Sequence, residues 1–184
     1  MWCSTRWHAE AVLVLALSSL LTGTAAWAHP QLPGSRLQGE ATLRYFGLRI
    51  YHARLWTLPD FRSGQSVEQP MVLELEYLRD LKGQAIAERS LQEMQRAGPI
   101  PEAQAHRWLG EMQRIFPDVK AGDRISGQHL PGQGARFWHN GQPVGQVDDP
   151  AFARLFFGIW LAPTTSEPGM RVALLGLASG STGR

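Results

Sequence analysis

Cysteine is almost absent from the sequence, which has only Cys3 among its 184 residues. Cys3 precedes an apolar run that we interpret as part of a signal peptide, so we expect a mature chain with no disulfide and no cysteine metal ligand. An excess of one charge is also lacking, because 18 Lys and Arg face 16 Asp and Glu, for a formal net charge of +2. A charge this small argues against a nucleic-acid partner.

Metal and cofactor motifs are lacking as well. The histidines His52, His106, His129 and His139 do not have the close spacing typical of metal ligands. Serine, histidine and aspartate are all present, but without a motif they do not indicate a catalytic triad. We therefore predict no metal site and no cofactor.

The N-terminus has the order of parts of a secretory signal peptide. Arg6 precedes the apolar run 11–21, and Ala26-Trp27-Ala28 fits the A-x-A cleavage pattern. The apolar run is shorter than the ~20 residues of a membrane-spanning helix. We expect cleavage after Ala28 and a periplasmic or secreted location, with no transmembrane span after cleavage.

The remaining residues, 29–184, have a length typical of one domain. They contain no internal repeat and no second apolar stretch of spanning length. We predict a signal peptide over 1–28 and a single domain over 29–184.

The first half of this domain is predicted to begin with strands. Residues 40–56 are rich in aromatic and branched side chains and are interrupted only at Gly47, which indicates two strands or one strand with a bulge. Residues 71–78 alternate apolar and acidic side chains, as a half-buried antiparallel strand does. The segment 59–70 between them has the composition of a loop.

Two helices are predicted to follow. Residues 83–96 place Ile86, Ser90 and Met94 on one stripe. Between Pro101 and Phe116, apolar residues recur with the i, i+3, i+4, i+7 pattern of a core-facing helix. Core packing explains the large side chains of this pattern better than a ligand site does: Ala105, Trp108, Leu109, Met112, Ile115 and Phe116.

The last third contains a hairpin and then helices. Asn140-Gly141 lies between the extended runs 135–139 and 144–147, and both residues tolerate the positive φ of a type I′ turn. Asp149-Pro150 supplies an N-cap and a first-turn proline for the next helix, and a last helix is predicted near Pro168. This order predicts an α+β fold with helices on one face of an antiparallel sheet.

Five segments carry a resemblance to a known family: 39–56, 73–83, 137–145, 149–161 and 165–168. In this order they are similar to the bacterial chalcone isomerase-like proteins, which are related to plant chalcone isomerases and to plastid fatty-acid-binding proteins. The resemblance implies an open-faced β-sandwich, in which a curved antiparallel sheet and a helical layer enclose a mostly apolar cleft.

The resemblance also implies a ligand-binding pair. In the fatty-acid-binding relatives an arginine and a tyrosine on neighbouring strands hold the ligand's carboxylate, and the nearest matches are Arg44 and Tyr51. Physically, a guanidinium in an apolar strand must face solvent, pair with Glu74 or Glu76, or meet an anionic ligand. The alternative for Tyr51 is a half-buried phenol whose hydroxyl reaches water.

Strand alternation separates two rows of side chains around Tyr51. Tyr51, Ala53 and Leu55 form the more apolar row, which we place inside, while His52 and Arg54 belong to the opposite face. Other aromatic residues have the spacing of core side chains, although they could also form cleft wall: Tyr77, Phe152, Phe156 and Trp160.

Enzymatic activity of the plant type is not expected from the sequence. At the positions that pair with three hydroxyl residues of chalcone isomerase, this chain has Tyr51, Ile86 and Gly158, which removes donors to an enolate oxygen. We expect a binding protein for a fatty acid or similar elongated apolar acid. The alternatives are an isomerase or intramolecular lyase acting on a small unsaturated carbonyl compound, and a periplasmic accessory protein that binds a protein or a membrane surface.

Overall fold

A computed structural model describes residues 28–177. The signal-peptide prediction falls on residues that lie outside this range, apart from Ala28, and it stays a prediction. Within the described range no helix combines the length and the apolar character needed to cross a bilayer.

An antiparallel sheet of six strands forms one layer of the described domain, and its spatial order is the chain order. The strands are β1 (Arg36–Tyr45), β2 (Leu48–Thr57), β3 (Met71–Tyr77), β4 (Arg124–Leu130), β5 (Gly134–His139) and β6 (Gln142–Val147). The helices are α1 (Gly83–Arg96), α2 (Glu102–Ile115), α3 (Pro150–Leu161) and α4 (Pro168–Leu175).

The predicted strand pattern is confirmed, and one open choice is resolved. Residues 40–56 form two strands joined at Phe46-Gly47, and β1 begins at Arg36, earlier than the apolar pattern suggested. In β2 the inside row is as predicted, because Ala53 and Leu55 are completely buried. The pairing of β1 with β2 shifts register between Leu43 and Arg44, which is a bulge next to the turn.

The predicted helices are present with the expected buried faces. In α3 the Asp149 side chain accepts hydrogen bonds from the backbone N–H groups of Ala151 and Phe152, which confirms it as the N-cap. The predicted loop 59–70 contains a 3₁₀ helix, Ser63–Glu68. The Gln69 side chain closes this segment by donating to the carbonyls of Arg62 and Gln65, a contact that composition alone does not indicate.

All four helices lie on one face of the sheet or at its edge, and α3 packs against β4, β5, α1 and α4. The core between the layers is rich in aromatic rings: Trp108, Phe116, Phe137, Phe152, Phe156, Phe157 and Trp160. The opposite face of the sheet carries ion pairs, with Arg54 Nη1 3.2 Å from Glu74 Oε1 and 3.0 Å from Glu76 Oε2. This is the α+β, open-faced sheet with a helical layer that was predicted.

Candidate functional site

A cavity of about 270 Å³ lies between the helix-facing side of the sheet and helices α1 and α3. Every strand from β1 to β4 contributes to its wall, and the loop residue Leu81 completes one side. Most of the wall is apolar: Leu43, Ile50, Leu75, Leu81, Ala85, Ile86, Phe116, Ile125, Phe156 and Ile159. The few polar groups in the wall therefore decide the orientation of anything bound there.

Tyr51 is one of these polar groups and projects from β2 into the wall. Its hydroxyl oxygen accepts a hydrogen bond from Nε1 of Trp160 on α3 at 2.9 Å. Burial raises the pKa of the Tyr51 hydroxyl, and the Trp160 hydrogen bond opposes this only in part, so the phenol is neutral at physiological pH. Because the oxygen serves as acceptor, the hydroxyl proton is available to a ligand oxygen.

Tyr77, paired with Tyr51 across β2 and β3, supplies a second phenol. The two rings meet edge to face with centroids 6.0 Å apart. Burial raises the pKa of Tyr77. Its hydroxyl forms no side-chain hydrogen bond to the residues that the structure describes, although the residue is only 2% exposed. A phenol in the wall of a cavity whose hydroxyl has no side-chain partner is a ready donor for a ligand.

Charged side chains from α1 line the outer part of the cavity. Arg89 Nη2 lies 2.7 Å from Glu93 Oε1, and the Arg89 guanidinium stands 5.9 Å from the centroid of the Tyr45 ring. Glu93 also accepts a hydrogen bond from Ser166 Oγ at 2.9 Å. With Glu167 in the same wall, this end of the cavity contains one guanidinium and two carboxylates.

Arg44, the arginine that the resemblance indicated, lies outside the cavity wall. It is exposed, and Glu74 and Glu76 pair with Arg54 instead. In β1 the cavity residues Leu43 and Tyr45 alternate with Arg44, which faces solvent. The ligand-binding roles of Arg44 and Tyr51 stay predictions, and only Tyr51 has its side chain in the cavity.

Comparison with known proteins identifies the family. Residues 32–176 match the family model described as chalcone isomerase-like. This chain belongs to that family. An uncharacterised protein of Haemophilus influenzae is 30% identical over 138 residues, which cover 75% of this chain and 66% of the relative. The chain thus spans just under two thirds of that relative's length.

A solved structure is also similar. The crystal structure of a fatty-acid-binding protein from Arabidopsis thaliana matches with a TM-score of 0.60 and 12% sequence identity. The match covers 81% of this chain and 95% of the Arabidopsis chain. At this identity the likeness establishes the chalcone isomerase-like fold.

Within this family fold, the three positions that pair with the hydroxyl residues of the plant enzyme fall in different places. Tyr51 and Ile86 line the cavity, whereas Gly158 is buried inside α3 and is not part of the wall. Of these positions Tyr51 alone presents a hydroxyl to the cavity. Tyr77 and Ser90 add hydroxyls from β3 and α1.

Two wall residues were harder to predict. Tyr77 and Trp160 have the spacing of core residues, and nothing in a strand or helix pattern separates a core from a cavity wall. Arg89 was not singled out, although a signal exists: Ile86, Arg89, Ser90 and Glu93 follow the i, i+3, i+4, i+7 spacing and share one helical face. All four line the cavity.

Metal binding finds no support in the geometry of the described chain. Among residues 28–177 no group of three or more His, Cys, Asp and Glu side chains is arranged to hold a metal ion. The groups that line the cavity provide hydrogen bonding by phenols, ion pairing by one guanidinium and two carboxylates, and apolar contact.

Proposed function

We propose that this protein binds a fatty acid, or a similar elongated apolar acid, in the cavity between the sheet and helices α1 and α3. The observation that carries the proposal is the pairing of a largely apolar wall with two neutral phenols, Tyr51 and Tyr77, and one guanidinium, Arg89. An apolar pocket with a few converging polar groups is the usual form of a small-molecule site.

The size of the cavity suggests the length of the ligand. Ligand pockets usually have ~300–1,000 Å³, so 270 Å³ is slightly below this range. At about 30 Å³ for a water-sized group, the enclosed space accommodates roughly nine such groups. A chain of about eight to ten carbons therefore fits, and a longer chain must extend through the open end.

A carboxylate head group has a specific set of partners here. Arg89 provides a charge-assisted donor, and since a guanidinium has five N–H groups, its contact with Glu93 leaves others for a ligand. Tyr51 or Tyr77 adds a neutral donor. Glu93 and Glu167 lie at the same end and oppose an anion, so net attraction requires a direct contact between the ligand carboxylate and Arg89.

The Arabidopsis protein of the same fold is a fatty-acid-binding protein. This gives a second reason to test fatty acids first.

Isothermal titration calorimetry with decanoate is the direct test. Arg89→Gln should weaken binding by about tenfold or more, the loss expected for one charge-assisted hydrogen bond. Arg44→Gln is the matched control, because Arg44 is exposed and outside the wall. If Arg44→Gln weakened binding and Arg89→Gln did not, the anchor would be the residue that the resemblance indicated. Absence of binding for C8 to C16 acids would reject the proposal.

A second function is favoured by one observation, the meeting of two neutral phenols in an apolar wall. Donors of this kind stabilise the oxyanion that develops when a hydroxyl adds to an unsaturated carbonyl compound. An intramolecular lyase of this type should lose about 100-fold in kcat when Tyr77 is changed to Phe. Absorbance assays on hydroxylated enones test this, and no turnover by the unchanged protein would exclude it for these substrates.

We also propose that the protein is exported and processed after Ala28. The support is the order of charge, apolar run and small residues at the N-terminus. Intact mass measurement of protein recovered from a periplasmic fraction tests the site. A cytoplasmic protein that retains residues 1–28 would contradict it.

A further inference from the structure

The turn between β1 and β2 carries an unusual exposed apolar surface, which we call the hairpin tip and define as residues 44–49. Three large side chains in it face solvent, with Tyr45 53%, Phe46 89% and Leu48 52% exposed. Exposed single apolar residues are common, but a consecutive aromatic pair with a leucine on a protruding turn is a patch of the kind that marks an interaction surface.

Arginines surround this apolar tip. Arg44 and Arg49 are the first and last residues of the hairpin tip, and both are exposed. Arg79 is the second residue after β3, and the hydrogen bond from Leu78 N to Ile50 O joins the residue before it to β2 next to Arg49. Within residues 28–177 none of these three side chains forms an ion pair.

Carboxylates near the tip do not cancel this charge. Asp80, next to Arg79, accepts a hydrogen bond from the backbone N–H of Ala121 and is held toward that loop. Glu93 is paired with Arg89, whose guanidinium stacks on Tyr45. The tip therefore combines an apolar centre with a basic rim.

We propose that the hairpin tip docks on a bilayer surface that contains anionic phospholipids. Phe46 and Leu48 enter the interfacial layer, where aromatic side chains concentrate, and Arg44, Arg49 and Arg79 contact lipid phosphates. The three protruding side chains are too few for a stable protein–protein interface, which buries about 800 Å² on each partner. A bilayer needs no complementary shape, and anionic lipid complements the basic rim.

The position of the tip gives docking a consequence that rests on the proposed function. Leu43, Tyr45 and Ile50 line the cavity and belong to the two strands that form the tip. A docked tip therefore places the cavity next to the bilayer, the source and destination of acyl chains. Exchange of a fatty acid would then avoid passage through bulk water.

Sedimentation with vesicles tests docking, using processed protein whose N-terminus has been checked by mass. Vesicles of phosphatidylcholine and phosphatidylglycerol at 3:1 should bind the protein at least about tenfold more strongly than pure phosphatidylcholine vesicles, since each arginine near an anionic surface contributes about fivefold. Phe46→Ser should lower the partition coefficient about tenfold or more, and Phe46→Trp should retain it.

Matched arginine variants test whether vesicle binding depends on the arginines of the basic rim or only on the overall positive charge. Arg49→Gln should weaken vesicle binding about fivefold. Arg114→Gln, an equally exposed arginine on α2, should change it less than twofold. Circular dichroism checks folding, which Phe46 variants should preserve because that side chain is exposed.

The proposal is overturned if Phe46→Ser binds anionic vesicles like the unchanged protein, or if Arg49→Gln and Arg114→Gln behave alike. It is also overturned if vesicles do not bind and Phe46-dependent cross-linking captures a protein partner. Decanoate titration of Phe46→Ser without vesicles should match the unchanged protein. If neither Phe46→Ser nor the unchanged protein binds decanoate, while the unchanged protein still binds vesicles, the proposed ligand is rejected and the docking proposal is not.

Discussion

The two-residue turns of this sheet have similar backbones and opposite chemistry. At the β5–β6 turn, Asn140 has φ 49° and Gly141 φ 82°, and at the β1–β2 turn, Phe46 has φ 47° and Gly47 φ 78°. Asn is among the residues that adopt positive φ readily, whereas a bulky aromatic residue with positive φ is an outlier.

The contacts made by the first residue also differ between the two turns. Asn140 Oδ1 accepts a hydrogen bond from Arg124 N at 2.8 Å, and Asn140 Nδ2 donates to Asp123 Oδ1 at 2.9 Å. Phe46 contacts the Tyr45 ring and otherwise faces solvent. Asn140 is thus suited to its turn, whereas Phe46 has a conformational cost that is offset only by its contact with the exposed Tyr45 ring, and it is better explained by contact with a partner.

The largest expected effect is at the polar turn. Asn140→Ala should lower the free energy of unfolding by about 2 kcal/mol, because it removes the hydrogen bond to Arg124 N and places Ala at positive φ. Urea denaturation measures this. Asn140→Gly should recover the conformational part and leave only the hydrogen-bond loss; equal stability of the two variants would show that φ is not the cause.

The glycines of the two turns form a matched pair. Gly47→Ala and Gly141→Ala should each lower stability by about 1 kcal/mol, since both have positive φ and a Cβ at either position meets no atom within 4 Å. Thermal unfolding of both variants checks the equality. A much larger loss at one of them would mean that the two turns are not equivalent in backbone strain.

Replacing Phe46, the aromatic residue at positive φ, should raise the free energy of unfolding. Phe46→Asn should raise stability by about 0.5–1 kcal/mol, because Asn tolerates positive φ and the only packing lost is the contact with the exposed Tyr45 ring. The same change should weaken binding to anionic vesicles. A destabilised Phe46→Asn protein would show that the exposed ring stabilises the fold, so that contact with a partner would not be needed to explain Phe46.

The smallest expected effect is the contribution of Asp123 to the pH dependence of stability. The backbone N–H of Lys120 and the amide of Asn140 hold the pKa of Asp123 below its ordinary value. A folded pKa below the unfolded value of ~3.9 stabilises the protein above about pH 4, and this stabilisation is lost as pH falls through the folded pKa.

Urea titrations at pH 6 and pH 3 should show a smaller loss of stability for Asp123→Asn than for the unchanged protein. Phe46→Asn should shift stability equally at both values, since no carboxylate contacts that side chain in the described structure. If Asp123→Asn and the unchanged protein lose the same free energy of unfolding between pH 6 and pH 3, Asp123 is not the source of this pH dependence.

Much of the fold follows from local rules that these two turns illustrate. The Asn140-Gly141 hairpin, the Asp149 N-cap and the buried row of β2 each depend on neighbouring residues, and each is found as predicted. The Phe46-Gly47 turn was visible only as a break at Gly47. Its first residue, Phe46, has a positive φ that aromatic residues rarely adopt, so the sequence left two interpretations open.

The candidate site was less accessible from sequence. Alternation placed Tyr51 on the inner face, and on β1 the same alternation places Leu43 and Tyr45 in the cavity and turns Arg44 to solvent, against the role that the resemblance implied. Arg89 reaches the cavity from α1, some 40 residues away along the chain from β2, through helix-on-sheet packing. No local sequence pattern indicates whether the side chains on a helical face will line a cavity against the sheet or will fill that space as core.

The sequence by itself determined the order of elements, their buried faces, the β5–β6 turn and the chalcone isomerase-like resemblance, because each is encoded by near neighbours or by segments read in order. Tertiary structure alone decided that Tyr51, Tyr77 and Arg89 share one cavity wall, and that Phe46 stands exposed beside three arginines. The physical reason is that cavities and surfaces arise where packing between distant elements is incomplete, and local periodicity does not record how well two layers fill the space between them.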